Sequence, residues 1–138
     1  MSLSTAELVE TYRLFSGAMQ RADGTIGYPF GQDAVGYLLY LESGYASWHM
    51  MAGGRQPFAQ YSLHAGTPEE NDRAFRTCLS YWARYVIEDD EICPIPNLVG
   101  PRTNHSHAEL RGDKLHLTSM PFVVNGQECR TKFIWQRI

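Results

Sequence analysis

The sequence predicts an all-β domain with one substantial helix, folded as an antiparallel barrel of about eight or nine strands. Three observations point there. Short runs of alternating apolar and polar residues recur along the chain, separated by turns rich in Gly, Asn and Asp. The turns lie close together, so consecutive strands pair as meanders, which favours a barrel over a sandwich. A helix signal followed by a sustained apolar stripe occurs once, at "TPEE", residues 67–70. With 138 residues, the chain is expected to form one domain over 1–138, long enough to bury a core.

The elements follow in order. Ser4 and Glu7 fit a capping box, which predicts a short helix over residues 5–10. "TYRLFSGAM" then reads as a strand, with Tyr12 and Leu14 alternating against Thr11 and Arg13. "ADG" at 22–24 is a turn. "DAVGYLLYL", "ESG" and "YASWHMM" make a hairpin in which Gly44 supplies the positive φ. Residues 53–66 contain Gly and Pro and read as a loop. Thr67 is placed to cap a helix, Pro68 suits its first position and Glu70 closes the box. Ala74, Phe75, Cys78 and Leu79 are expected to form its apolar stripe. Strand character resumes at "YWARYVIE", turns at "DD" and continues through "ICPIP". The last third is strands joined by "RGDK" near 112 and "VNGQ" at 124–127, where Asn125-Gly126 is the strongest hairpin signal.

Composition narrows the function. A net charge of −3 and a pI near 5.9 argue against nucleic acid, which selects a basic stripe. No Lys/Arg cluster suits an anionic membrane, and "AVGYLLYL" is too short to span one. The first residues carry neither a basic n-region nor an apolar h-region, and Cys78, Cys93 and Cys129 are odd in number and far apart. Both point to a reduced, cytoplasmic chain, where the sequon at Asn104 has no meaning. A homodimer would need an open barrel edge or an exposed apolar patch.

Three of the five histidines fall in "NHSHAELRGDKLHL", residues 104–117. With Gly112-Asp113 as a two-residue turn, Leu110 faces Leu115, Glu109 faces His116 and His107 faces Thr118. His105, His107, Glu109 and His116 then share one face, and Ala108, Leu110, Leu115 and Leu117 the other. Apolarity puts the leucines inside. The next hairpin disagrees: counted back from Asn125-Gly126, His116 faces Trp135, whose strand turns Cys129, Thr131, Phe133 and Trp135 inward. One bulge reconciles the two, since an extra residue flips every side chain beyond it. Pro121 and the Leu-x-Leu alternation favour a bulge near Met120-Pro121.

An inward His107–Glu109–His116 set could work in two ways. Glu109 could orient His116 and raise its pKa for proton transfer. The three could also bind a metal, although residues i and i+2 on a strand stand about 6.5–7 Å apart. A solvated polar face is the default. Arg84, if inward, would bind a carboxylate or enolate; the alternative is an exterior arginine near "EDDE". His49 reads as structural and the cysteines as core. Tyr12, Tyr28, Phe30, Tyr37, Trp48, Met50, Phe133 and Trp135 are the candidate lining of a cavity, suited to a flat, apolar, unsaturated ligand. They could equally fill a small barrel solid.

"DGTIGYPFGQDAVGYLLYLESGYASWHMMA", the "PF" and "TPEE" segments, "ARY" and the closing "FIWQR" resemble the lipocalin-like domain family over nearly the whole chain. The resemblance implies a calycin-type β-barrel with an internal cavity that binds a small apolar molecule without a cofactor or metal. It also carries an alternative: a cofactor-independent cyclase, isomerase or dehydratase acting on a polyketide- or terpenoid-like substrate in natural-product biosynthesis. One motif departs from the family. Where lipocalins usually carry Gly-x-Trp, this chain has "ETY", with Glu10 and Tyr12 in those places. The barrel-closing contact is then expected between Tyr12 and Trp135 or Arg137.

Overall fold

The computed structural model describes residues 2–96 and 105–138. The sequon at Asn104 lies outside them. The elements are α1 (Thr5–Leu8), β1 (Glu10–Arg21), β2 (Ile26–Gly27), β3 (Val35–Tyr40), β4 (Tyr45–Met51), α2 (Pro68–Arg76), β5 (Cys78–Glu88), β6 (Glu91–Pro96), β7 (Ser106–Arg111), β8 (Lys114–Ser119), β9 (Phe122–Val124) and β10 (Gln127–Arg137). Eight strands close a barrel in the order β1-β3-β4-β5-β6-β7-β8-β10, and β10 returns to pair with β1. The short β2 and β9 extend the sheet beside β1 and β10. Every pairing is antiparallel, as meander connections require. This is the expected barrel, with two short strands added.

The turns use the residues their geometry demands. Asn125 and Gly126 both have positive φ, as a two-residue type I′ hairpin needs. Asp89 and Asp90 adopt the same left-handed region between β5 and β6. Between β3 and β4 the Leu41 N–H donates to the Tyr45 carbonyl at 2.9 Å, which leaves a three-residue loop ending at Gly44.

Two irregularities set which side chains face inward. In β1 the register against β10 slips between Leu14 and Ser16, so Phe15 stands out in water while Leu14 and Gly17 both turn inward. After β8 the register also slips. Thr118 pairs with Lys132 but Phe122 pairs with Cys129, so three residues on one side oppose two on the other. This is the bulge at Met120-Pro121. Ser119 mends the ladder there: its Oγ accepts from the Thr131 N–H at 2.9 Å and donates to the Met120 carbonyl at 3.0 Å.

Barrel closure pairs Tyr12 with Arg137 and Leu14 with Trp135. The Tyr12 hydroxyl donates to the Leu8 carbonyl at 2.8 Å, and the Arg137 guanidinium donates to the Glu7 carbonyl. Together they tie α1 to the barrel, with Leu8 fully buried. Helix α2 starts at the expected capping box, but its stripe is not as expected. The helix stops at Thr77, whose N–H and hydroxyl both donate to the Arg73 carbonyl. Cys78 and Leu79 therefore belong to β5, and Phe75 is exposed. Among the described residues no helix is long and apolar enough to cross a membrane.

Candidate functional site

The inward residues of β3, β4, β5, β8 and β10 build the interior. Leu38, Tyr40, Ala46, Trp48, Met50, Tyr85, Leu115, Leu117 and Trp135 are all buried in one cluster, with Tyr81 and Phe133 packed against it. Trp48 is its hub. It stacks on Tyr81 at 5.8 Å and 14°, and meets Phe133 and Trp135 edge-on at 5.1 and 4.8 Å. Gly17 makes room for this packing, because a Cβ there would approach Phe133 to 3.1 Å. Tyr40 bridges Tyr12 and Tyr85 through edge contacts at 6.3 and 5.0 Å. A cavity of about 30 Å³ remains, room for a water or two. Trp48, Tyr40, Tyr81, Tyr85, Ile92, Pro94, Ser106 and Leu117 are among its lining.

Among the described residues, the polar groups of the aromatic cluster are phenols and indoles, with Ser106 at the cavity wall. Burial pushes the Tyr40 phenol well above its usual range and the Tyr81 phenol up to about 12, so both are neutral hydroxyls at physiological pH. The Tyr85 hydroxyl donates to the Leu41 carbonyl at 3.0 Å. Trp48 Nε1 and Trp135 Nε1 are buried donors with no partner among the described residues. Native proteins rarely leave such donors unmatched.

The cavity abuts the β6–β7 seam. Among the described residues β6 and β7 pair at Glu91 with His107 and at Ile92 with Ser106, the shortest described ladder in the barrel. Pro94 and Pro96 follow on β6 and have no N–H to give. Ile92, Pro94 and Ser106 line the cavity at this seam.

Of the expected lining residues, Trp48, Met50, Phe133 and Trp135 are in the interior, and Phe30 is half-buried against it. Tyr12 is fully buried, with its hydroxyl committed to Leu8. Tyr28 and Tyr37 are not inside. Tyr28 lies exposed beyond β2, and Tyr37 is exposed opposite His49 on the outer face. Strand β3 is apolar on both faces, so alternation could not choose between Tyr37 and the true inward pair, Leu38 and Tyr40. The three-residue loop decides it, by setting Tyr37 against His49. His49 itself bonds Ser47 Oγ at 2.7 Å and Ser80 Oγ at 2.8 Å on the exposed surface. Tyr40, Tyr81 and Tyr85 are interior aromatic residues that sequence reasoning missed.

The candidate acid–base residues face away from the interior. Arg84 is exposed opposite Tyr45. The β7–β8 register is the expected one, with Glu109 against His116 and His107 against Thr118, and the bulge turns this set outward. His107 and Glu109 line an open groove beside α1 with Glu7 and Asp90. The carboxylate of the set is already engaged. Arg111 donates to Glu109 at 2.9 Å and holds its carboxyl below the usual range. Partial burial, helped by Arg111, holds the His116 imidazole below its ordinary value. That is the opposite of the expected rise: the pull of Glu109 on His116 is outweighed by burial and by Arg111.

The family described as lipocalin-like domain matches residues 10–138, and the chain belongs to it. No curated protein and no solved structure matches the chain at a significant level. Family and barrel together define a ligand-binding type of fold; neither names a ligand.

Proposed function

We propose that this barrel binds a small, flat, mostly apolar molecule that carries a hydrogen-bond acceptor such as a carbonyl. The observation that carries the reading is the pair of buried indole donors, Trp48 Nε1 and Trp135 Nε1, without partners in an aromatic interior. Stacked and edge-on rings suit an unsaturated plane, and an acceptor would satisfy a donor that burial has stripped of water. The cavity is smaller than such a ligand. Binding therefore needs side chains to give way, and the β6–β7 seam beside the cavity, with two pairs among the described residues, is where the described wall is most open to that. Catalysis through an interior base has less support, since the interior titratable groups in the described residues are neutral phenols.

The test compares fluorene with 9-fluorenone, two planar molecules of like shape, only one with a carbonyl. Tryptophan emission of the full chain is titrated with each. Fluorenone should bind about 5–10-fold tighter, the worth of one net hydrogen bond. Trp48→Phe should erase that difference and leave fluorene unaffected. If neither compound changes tryptophan emission or the melting temperature, the binding reading fails. Equal affinity for both would remove the acceptor from it.

A further inference from the structure

The outer face of the β6–β7 seam holds a cluster outside the interior. Ile92 is buried in the core and Pro94 lines the cavity, so Glu91 and Cys93 leave β6 on the outer face. β7 pairs His107 with Glu91 and Ser106 with Ile92. The same register carried one residue further sets His105 opposite Cys93. A Glu91 carboxylate oxygen, Cys93 Sγ and a His105 ring nitrogen all lie within 4.8 Å of one another. His105 Nδ1 is 3.9 Å from Glu91 Oε2. Cys93 is buried, and among the described residues its thiol makes a long contact of 4.0 Å to the Glu91 carbonyl.

We infer that Glu91, Cys93 and His105 form a three-ligand site for a divalent cation of zinc's class. The donor set decides the class. A sulfur, a nitrogen and an oxygen suit a borderline cation such as Zn²⁺, whereas Ca²⁺ and Mg²⁺ select oxygen alone. Metal–ligand bonds of about 2.0–2.3 Å put tetrahedral ligands roughly 3.3–3.8 Å apart, so the cluster needs to contract by about 1 Å. Glu91 and His105 are partly exposed and free to make that move, while Cys93 stays anchored. Charge favours it too. Glu88 sits directly across from Glu91 on β5, and like charges in that position repel until a cation joins them. On binding, the Cys93 S–H bond breaks, its proton passes to the buffer, and the thiolate sulfur bonds to the metal. The fourth position is left for a water. Bound here, the metal ties β6 to β7 beside a ladder of two pairs among the described residues.

The site differs from the His107–Glu109–His116 set, whose carboxylate Arg111 holds. The experiment titrates the reduced full chain with Co²⁺ as a spectroscopic probe, then with Zn²⁺. A single equivalent of Co²⁺ should produce a thiolate-to-cobalt band in the near ultraviolet and intense tetrahedral bands in the visible. Zn²⁺ should bleach them and raise the melting temperature. Cys93→Ser should abolish the bands. His105→Ala, an exposed position that leaves the core intact, should weaken Co²⁺ binding at least tenfold. His107→Ala and Cys78→Ser should change nothing. A weak octahedral spectrum alone, or tetrahedral bands that survive both Cys93→Ser and His105→Ala, would overturn the site.

Discussion

Deleting Pro121 should leave the barrel intact and its stability unchanged or raised. The bulge exists because three residues, 119–121, oppose two, Arg130 and Thr131. Removing one from the longer side leaves two against two. The Thr118–Lys132 and Phe122–Cys129 pairs then join into one regular ladder without either hairpin shifting. Up to two new backbone bonds form, each worth about 0.5–1.5 kcal/mol, set against the Ser119 Oγ bond to Thr131. The net lies between zero and about 2 kcal/mol of added stability. Deleting Thr131 from the opposite strand should do the reverse, since three residues would then face one. Re-registering by one residue, back to a single-residue bulge, would turn Leu115 and Leu117, both buried, to water. At about 1.5–3 kcal/mol for each leucine, that costs roughly 3–6 kcal/mol. Urea midpoints of both deletions, with methyl contacts from Leu115 and Leu117 to Trp135 by NMR, read the two outcomes. The reasoning is refuted if the Pro121 deletion loses more than about 3 kcal/mol, or if His116 moves against Trp135 in it.

Three further outcomes follow from the same geometry. Ser119→Ala leaves the Thr131 N–H buried without its acceptor, so urea denaturation should show a loss of about 1–3 kcal/mol and the Thr131 amide should exchange faster. Thr67→Ala removes the cap of α2, where Thr67 Oγ1 accepts from Glu70 N at 3.1 Å, and weakens that helix by about 1 kcal/mol. Because α2 buries no side chain, the change should appear as faster proteolysis between residues 52 and 77 while the barrel melts as before. His116 is held below its ordinary pKa, so the unfolded chain takes up its proton first as pH falls. Stability from this group is therefore present above pH 6.5 and lost as pH falls from there toward the lowered folded value. His116→Gln should flatten that part of a urea-midpoint profile against pH.

Much of the fold was legible because its signals are local. The two capping boxes, the Asn125-Gly126 turn and the Gly112-Asp113 register each depend on residues a few positions apart. The bulge was legible because two turns, each locally certain, could not both hold without it. Facing was harder. Tyr37 and Tyr40 look alike in a strand apolar on both sides, and only a loop length separates them. The slip at Phe15 carries no proline or glycine of its own to announce it. The three histidines of residues 104–117 look like chemistry in sequence and stand on the outside wall. The proximity of Cys93 to His105 was invisible, since eight residues, 97–104, separate β6 from His105 in sequence and their turn residues fix no single register.

The nine paired positions between β1 and β10 also set a timetable. Tyr12 meets Arg137, 137 − 12 = 125 positions later in synthesis. At about 5–20 residues per second, the first strand waits roughly 6–25 s for its partner, with one edge of its backbone open throughout. Six strands can pair in sequence behind it, yet none can cover that edge. The seam thus closes only once β10, Gln127–Arg137, has been made. A ribosome that stalls before β10 releases a sheet that is nearly complete and fully able to pair with another copy of itself.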